Sequence, residues 1–334
     1  MKNDTVKRIS HDLCLSRPTV SRALRHCAGV DSETRELVLE RVQGTVTEAS
    51  PAAIDVYAIL PDVPKYFWSE MLGALGKAAT DYACSIKFNV YTKLGDEGAV
   101  LHYLNEAEAL GARVILLAAR ITAAIERRLT ALSRGRLILL LSEFSSLPHT
   151  FYVGADPVAE GYAIGREYCR IDDKGELLLL SVAEDANAPL RIEGFLRACR
   201  EAGRTEDIPS LTLSADIFFS TKLLPAKLAA ELAPLTRSDG HITVYASTAI
   251  PQLSLALRKA GIADRTSALV HDPESDAPSF VTVCRQNLAA QAVEAIRAAH
   301  GYLTCDCCPD AKYRYVPSIL ERRTAEAPPD QKQA

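Results

Sequence analysis

From Ile54 to His300, short and almost wholly apolar runs alternate with longer stretches whose apolar residues recur at helical spacing. That alternation limits the fold more than anything else in the chain. Strands that are apolar on both faces are buried on both faces, which is the signature of parallel sheets covered by crossover helices. A first set predicts strands at Ile54–Leu60, Ile86–Val90, Val114–Ala118, Leu137–Leu141 and Phe151–Val153, with helices at Trp68–Tyr82, Ala99–Leu110 and Ile121–Leu132. A second set predicts strands at Glu176–Ser181, Ser210–Leu213, His241–Tyr245 and Ala268–His271. Its helices are Val158–Cys169, Leu190–Ala202, Lys222–Leu235, Pro251–Ala260 and Leu288–His300. Two α/β lobes are therefore expected.

The first 43 residues are different. Thr5 can cap a short helix whose Val6, Ile9 and Leu13 share a face, and Cys14-Leu15 turns the chain into Ser16-Arg17-Pro18-Thr19-Val20-Ser21-Arg22-Ala23-Leu24. Ser16 suits an N-cap and Pro18 a first turn. Val20, Ala23 and Leu24 make one apolar stripe, while Arg17, Ser21, Arg22 and Arg25 fall away from it. Asp31 can cap a third helix carrying Leu37, Val38 and Val42. One reading is a helix-turn-helix whose second helix reads base edges and grips phosphates. The other is an ordinary capped surface helix with a few arginines. Net charge is −4, but residues 1–43 carry +2 and the rest −6, so a mildly basic head sits on an acidic body.

These residues carry a resemblance. Thr5-Val6-Lys7-Arg8-Ile9, Leu15-Ser16, Thr19-Val20-Ser21-Arg22-Ala23-Leu24, then Val30, Thr34-Arg35 and Val38, resemble the head-piece of the lactose-repressor (LacI/GalR) family of transcriptional regulators. The closing Pro317-Ser318-Ile319-Leu320-Glu321-Arg322-Arg323-Thr324 resembles that family's Pro-x-x-Leu-x-x-Arg-Thr/Ser. The resemblance implies a small all-α head-piece at 1–43, followed by a two-lobed α/β effector domain of the periplasmic-binding-protein type at 54–324. Lobe 1 is expected at about 54–153 and 285–314, and lobe 2 at about 156–281 and 317–324, and the resemblance implies that the chain crosses between them near Val153–Ala155, Val281–Cys284 and Tyr315–Pro317. A linker at 44–53 lacks the family's usual hinge helix, and 325–334 is a polar tail without heptad leucines. The function implied is a dimeric repressor that binds a palindromic double-stranded DNA operator under control of a small-molecule effector, a sugar or sugar derivative. Its DNA contacts are Thr5, Ser16, Arg17, Pro18, Thr19, Ser21, Arg22 and Arg25. The alternative is a free-standing solute-binding protein with no role in transcription.

Ligands of open α/β sheets lie beyond the carboxyl ends of the strands, here between the lobes. Asp62, Tyr66, Phe67 and Trp68 follow the first strand, and aromatics beside a carboxylate suit a sugar's C–H face and its hydroxyls. Arg120 and Glu143 follow later strands. Arg191 opens Arg191-Ile192-Glu193-Gly194-Phe195, which resembles the family's Arg-x-x-Gly-Phe, and its forked donors are expected on the effector. Glu184, Asp185 and Asn187 precede it as weaker candidates. Asp156 matches a family crossover aspartate or simply caps the next helix. Thr248 stands where relatives carry a carboxylate. Asp272 matches the family, whereas His271 does not, which points to a ligand unlike the family's best-known ones.

Other classes are disfavoured. No phosphate loop or Ser-His-Asp ordering stands out, so no enzyme and no cofactor are expected. His271 beside Asp272 is the one pair with catalytic interest. The N-terminus has no apolar signal segment, and no run approaches the roughly 18 apolar residues of a membrane span. The nine scattered cysteines then read as reduced cytoplasmic thiols. Cys305-Asp306-Cys307-Cys308 is dense in thiols but lacks zinc spacing, so no metal is expected.

Overall fold

The computed structural model describes residues 6, 9–10, 13, 15–24, 29–46, 54–143, 147, 150–171, 175–204, 208–218, 220, 222–232, 240–250, 252–274 and 279–323. Two six-stranded sheets organise it. The first is built from β1 (Val56–Pro61), β2 (Ile86–Tyr91), β3 (Val114–Leu117), β4 (Leu137–Leu140) and β5 (Thr150–Gly154). With β11 (Tyr313–Tyr315) at its edge, its order is β11-β5-β4-β3-β1-β2. The second holds β6 (Glu176–Val182), β7 (Ser210–Leu213), β8 (Ile242–Ala246), β9 (Thr266–His271), β10 (Phe280–Arg285) and β12 (Ile319–Arg322), in the order β12-β10-β9-β8-β6-β7. Every pairing is parallel except β12 on β10. The apolar strand runs are buried as their composition requires: Val56–Pro61, Val114–Leu117 and Leu137–Leu140 are covered throughout. The two faces of each sheet carry separate apolar clusters.

The covering helices are α3 (Lys65–Asp81), α4 (Glu97–Ala109), α5 (Ala123–Leu132) and α11 (Leu288–Cys305) on the first sheet. On the second they are α6 (Pro157–Arg170), α7 (Asn187–Glu201), α8 (Ala215–Phe218), α9 (Leu223–Leu232) and α10 (Leu253–Lys259). Side-chain oxygens start several of them. Asp96 accepts from the Ala99 amide at 2.9 Å, Asp156 from Ala159 at 3.0 Å and Asn287 from Ala290 at 3.0 Å.

One crossing falls later than the sequence suggests. Phe280–Arg285 is not a connector but a full strand of the second sheet, parallel to β9. Its β-branched and aromatic residues suit a strand. The chain returns to the first lobe at Gln286–Asn287, where Asn287 caps α11. The other crossings lie between β5 and α6 and between β11 and β12.

At the N-terminus Val6, Ile9 and Ser10 are helical, the rest of the expected first helix lying largely outside the described residues, and α1 (Arg17–Leu24) and α2 (Ser32–Val46) follow. Ile9, Val20, Ala23, Leu24, Val30 and Val38 make a small core, and Cys305 at the end of α11 packs on it. Leu37, expected inside, is 48% exposed. The expected linker begins inside α2, which continues to Val46; positions 47–53 and the tail 324–334 lie outside the described residues. These short helices do not establish the expected helix-turn-helix head-piece. Among the described residues no helix is long and apolar enough to cross a membrane.

Candidate functional site

The carboxyl ends of both sheets meet across a cleft with a cavity of about 110 Å³. In each sheet the strand order reverses there, between β1 and β3 and between β6 and β8, which is where open α/β folds bind ligands. From the first lobe, Phe67, Trp68, Tyr91 and Arg120 line the cavity; from the second, Asp185, Asn187, Arg191, Thr248, Asp272 and Gln286 do. Phe67 and Trp68 meet edge to face, 5.1 Å between centroids, at the start of α3.

Arg191 is the floor of the second half. It is buried and pairs with Glu160 at 2.9 Å and Asp185 at 3.6 Å. It also donates to the Ser247 carbonyl at 3.1 Å. Burial alone would lower its pKa, but Glu160, Asp185 and Asp272 outweigh that and hold the guanidinium charged. The helix pair α6–α7 sets its position. A Cβ on Gly161 would sit 1.8 Å from the Arg191 carbonyl oxygen, and one on Gly194 would sit 2.0 Å from that of Val158. Only glycines let the two backbones approach so closely.

Asp272 follows β9 with φ 40°, in the left-handed region. Its carboxylate accepts from the Gln286 amide at 2.7 Å and side chain at 2.9 Å. Burial and the charge of Glu160 raise its pKa to about 6. Thr248 donates to Asp185 at 2.8 Å. Asn187 Oδ1 is buried without a hydrogen-bond partner. A buried unpaired acceptor is costly, so an acceptor beside this cleft is an argument for a ligand donor.

The structure separates the other candidates. Tyr66 does not line the cavity; its hydroxyl donates to the Asp272 carbonyl at 2.6 Å, joining the lobes. Arg120 donates to the Ala183 carbonyl at 3.4 Å, a second cross-lobe contact. Asp62 and Glu143 lie outside the lining. Glu143 accepts from the Ile121 amide, and burial raises its pKa. Asp156 caps α6. His271 also misses the cleft: its Nε2 lies 3.1 Å from the Tyr245 hydroxyl, and burial holds the ring neutral. Glu160, His271 and Cys284 place ligand atoms within 4.8 Å of one another. Arg191 and Ser318 already hydrogen-bond Glu160, so this cluster serves as the hydrogen-bonded floor beneath Arg191. Gln286 and Glu160 had no sequence signal, because their partners come from distant strands and helices.

The N-terminal candidates are mostly occupied with their own helix. Ser16 Oγ lies 2.7 Å from Thr19 Oγ1 and accepts from the Thr19 amide at 3.2 Å. Arg22 donates back to the Pro18 carbonyl at 3.3 Å. Arg17 and Pro18 are exposed and Ser21 is partly buried; Thr5 and Arg25 lie outside the described residues.

Two sheets, parallel except for the edge strand β12 and wound in this order around a shared cleft, define the periplasmic-binding-protein class of fold. Solved structures bear this out. An ABC transporter periplasmic solute-binding protein from Actinobacillus succinogenes with bound D-allose is 19% identical, with a TM-score of 0.67 over 80% of this chain and 97% of that one. A Caulobacter myo-inositol-binding protein with myo-inositol is 15% identical, with a TM-score of 0.68 over 82% and 94%. A carbohydrate transporter solute-binding protein from Agrobacterium radiobacter with D-arabinose is 13% identical, with a TM-score of 0.69 over 82% and 96%. No family model and no curated protein matches the chain. The expectation of a DNA-binding transcriptional regulator is corrected by these neighbours, whose descriptions are of sugar- and cyclitol-binding proteins and not of transcriptional regulators. The expected operator DNA and homodimer find no support in them.

Proposed function

We propose that this protein is a solute-binding protein whose lobes close on a small, neutral, polyhydroxylated molecule of the sugar or cyclitol class. The observation that carries the reading is the composition of the cleft. Phe67 and Trp68 offer aromatic surface from one lobe, and Asn187, Arg191, Asp272 and Gln286 offer polar groups from the other. Aromatic faces suit the C–H side of a sugar ring, and fixed polar groups sort its hydroxyls. Arg191 is already neutralised by Glu160 and Asp185, so the cleft has no surplus cation there for a carboxylate or phosphate. The bound sugars and cyclitol of the solved neighbours agree with this class. No disulfide joins the seven cysteines among the described residues, which supports residence in a reducing compartment such as the cytoplasm. Binding without turnover fits a site whose nearest histidine is buried, neutral and turned to Tyr245.

Isothermal titration with pentoses, hexoses, cyclitols, amino acids and nucleosides tests the reading. A neutral polyol is expected to bind, and Asn187→Ala or Phe67→Ala to weaken it tenfold or more, about 1.4 kcal/mol. Arg191→Ala is a poor probe, because it strands a buried Glu160 and costs about 3–5 kcal/mol of stability. Binding of amino acids or nucleosides in preference to every polyol overturns the proposal.

A further inference from the structure

We propose that Cys305 and Cys307 form a reversible dithiol–disulfide site where the N-terminal helices meet the first lobe. The segment stands outside the cleft and takes no part in ligand binding. Helix α11 ends at Cys305, and Asp306 adopts φ 59° and ψ 24°, turning the chain back on itself. That reversal brings the Cys307 thiol to the Cys305 carbonyl at 3.5 Å and into a hydrogen bond with the Cys305 thiol. The Cys305 thiol also donates to the Gly301 carbonyl at 2.9 Å.

The surroundings differ for the two sulfurs. Cys307 and Cys308 line a separate cavity of about 300 Å³, bounded by α11, by β5 and by Leu24 of α1. Cys305 instead packs on the core of Ile9, Val20, Ala23, Leu24, Val30 and Val38. Its hydrogen bond to Cys307 and its burial raise its pKa above the ordinary thiol range. Attack by a thiolate on a disulfide therefore starts at Cys307, the thiol with access.

The oxidant is a low-molecular-weight disulfide such as glutathione disulfide. The Cys307 thiolate attacks one of its sulfurs, breaking that S–S bond and releasing one glutathione thiolate. The Cys305 thiol then loses its proton and attacks the Cys307 sulfur. The Cys305–Cys307 bond forms as a second glutathione thiolate leaves. Two electrons pass from the protein to the oxidant, and the two thiol protons end on the two glutathiones. The new bond takes the Cys305 sulfur off the Gly301 carbonyl and off the N-terminal core, so oxidation loosens α1.

The full-length protein, equilibrated across glutathione–glutathione disulfide ratios and quenched with an alkylating reagent, tests this. Oxidised protein is expected to lose the mass of two hydrogens and to show two fewer alkylated thiols, both mapping to 305–307. Amide exchange in Arg17–Leu24 is expected to speed up at least threefold. Cys305→Ser and Cys307→Ser each abolish the mass loss at this peptide, whereas Cys308→Ser retains it. Cys307, facing the cavity, keeps the test readable if the Cys305 variant folds poorly. A glutathione adduct as the end product, a Cys307–Cys308 bond, full alkylation at every ratio, or unchanged exchange in α1 each overturn the proposal.

Discussion

Asp272 does three things at once. Its backbone amide donates to the Cys284 carbonyl at 2.9 Å, its carbonyl receives Tyr66, and its carboxylate faces the cleft with Gln286 holding both oxygens. Its pKa lies at about 6 against an ordinary 3.8. Below about pH 4 both folded and unfolded chains hold the proton, and the group costs nothing. Between about pH 4 and 6 the folded chain keeps a proton that the unfolded chain has released. Stability from this group therefore falls as pH rises, by about 3 kcal/mol in all. His271 acts in the opposite sense: its lowered pKa means that the unfolded chain takes up a proton first, so stability from that group falls as pH drops below the ordinary histidine range. Comparing the protein with Asp272→Asn isolates the carboxylate. Urea unfolding from pH 4 to 6.5 should show the parent losing about 3 kcal/mol relative to the variant. Parallel curves for the two proteins would remove the raised carboxylate from the account.

At the scale of elements, the α6–α7 contact decides where the cleft's arginine sits. Gly194 lies one turn beyond Arg191 and meets the Val158 carbonyl, while Gly161 meets that of Arg191 itself. Gly194→Ala must push the helices apart. A loss of about 2–3 kcal/mol is expected, since a forced methyl in a packed contact costs that much. Ligand affinity should fall with it, because Arg191 moves. Gly73→Ala on α3, where no atom lies within 4 Å of the added carbon, serves as the control and should be neutral or slightly stabilising. Thermal unfolding of the two variants side by side checks both outcomes.

Much of this layer could be read from the sequence. The alternation of apolar runs and amphipathic stretches announced the strands and helices of both lobes, and Arg191-Ile192-Glu193-Gly194-Phe195 pointed to the cleft arginine. What it could not reveal was pairing. Glu160 reaches Arg191 from another helix, and Gln286 reaches Asp272 from the end of another strand. Phe280–Arg285 read as a connector because a short apolar run carries no sign of which sheet it will join. The Ser16–Leu24 stretch misled for a related reason: capping hydroxyls and off-stripe arginines are spaced alike on a reading helix and on one whose polar groups serve itself.

For the whole molecule, the two lobes meet around a small cavity, and three of the contacts between them among the described residues bear on closure. Tyr66 bonds the Asp272 carbonyl, Arg120 bonds the Ala183 carbonyl, and Leu94, in the loop after β2, packs on the apolar core of the opposite lobe. The last is the most informative, because it buries apolar surface only when the lobes meet. A ligand that contacts both lobes binds the closed form, so its apparent affinity scales with the closed fraction. Leu94→Ser removes about 1–2 kcal/mol of apolar burial from the closed state alone. Apparent affinity for a polyol should then drop roughly tenfold, with the midpoint of unfolding for the ligand-free chain nearly unchanged. Small-angle scattering should show the variant more extended without ligand and restored to the parent's dimensions at saturation. If Leu94→Ser instead lowers stability and leaves affinity intact, Leu94 belongs to the fold of one lobe and closure must rest on Tyr66 and Arg120.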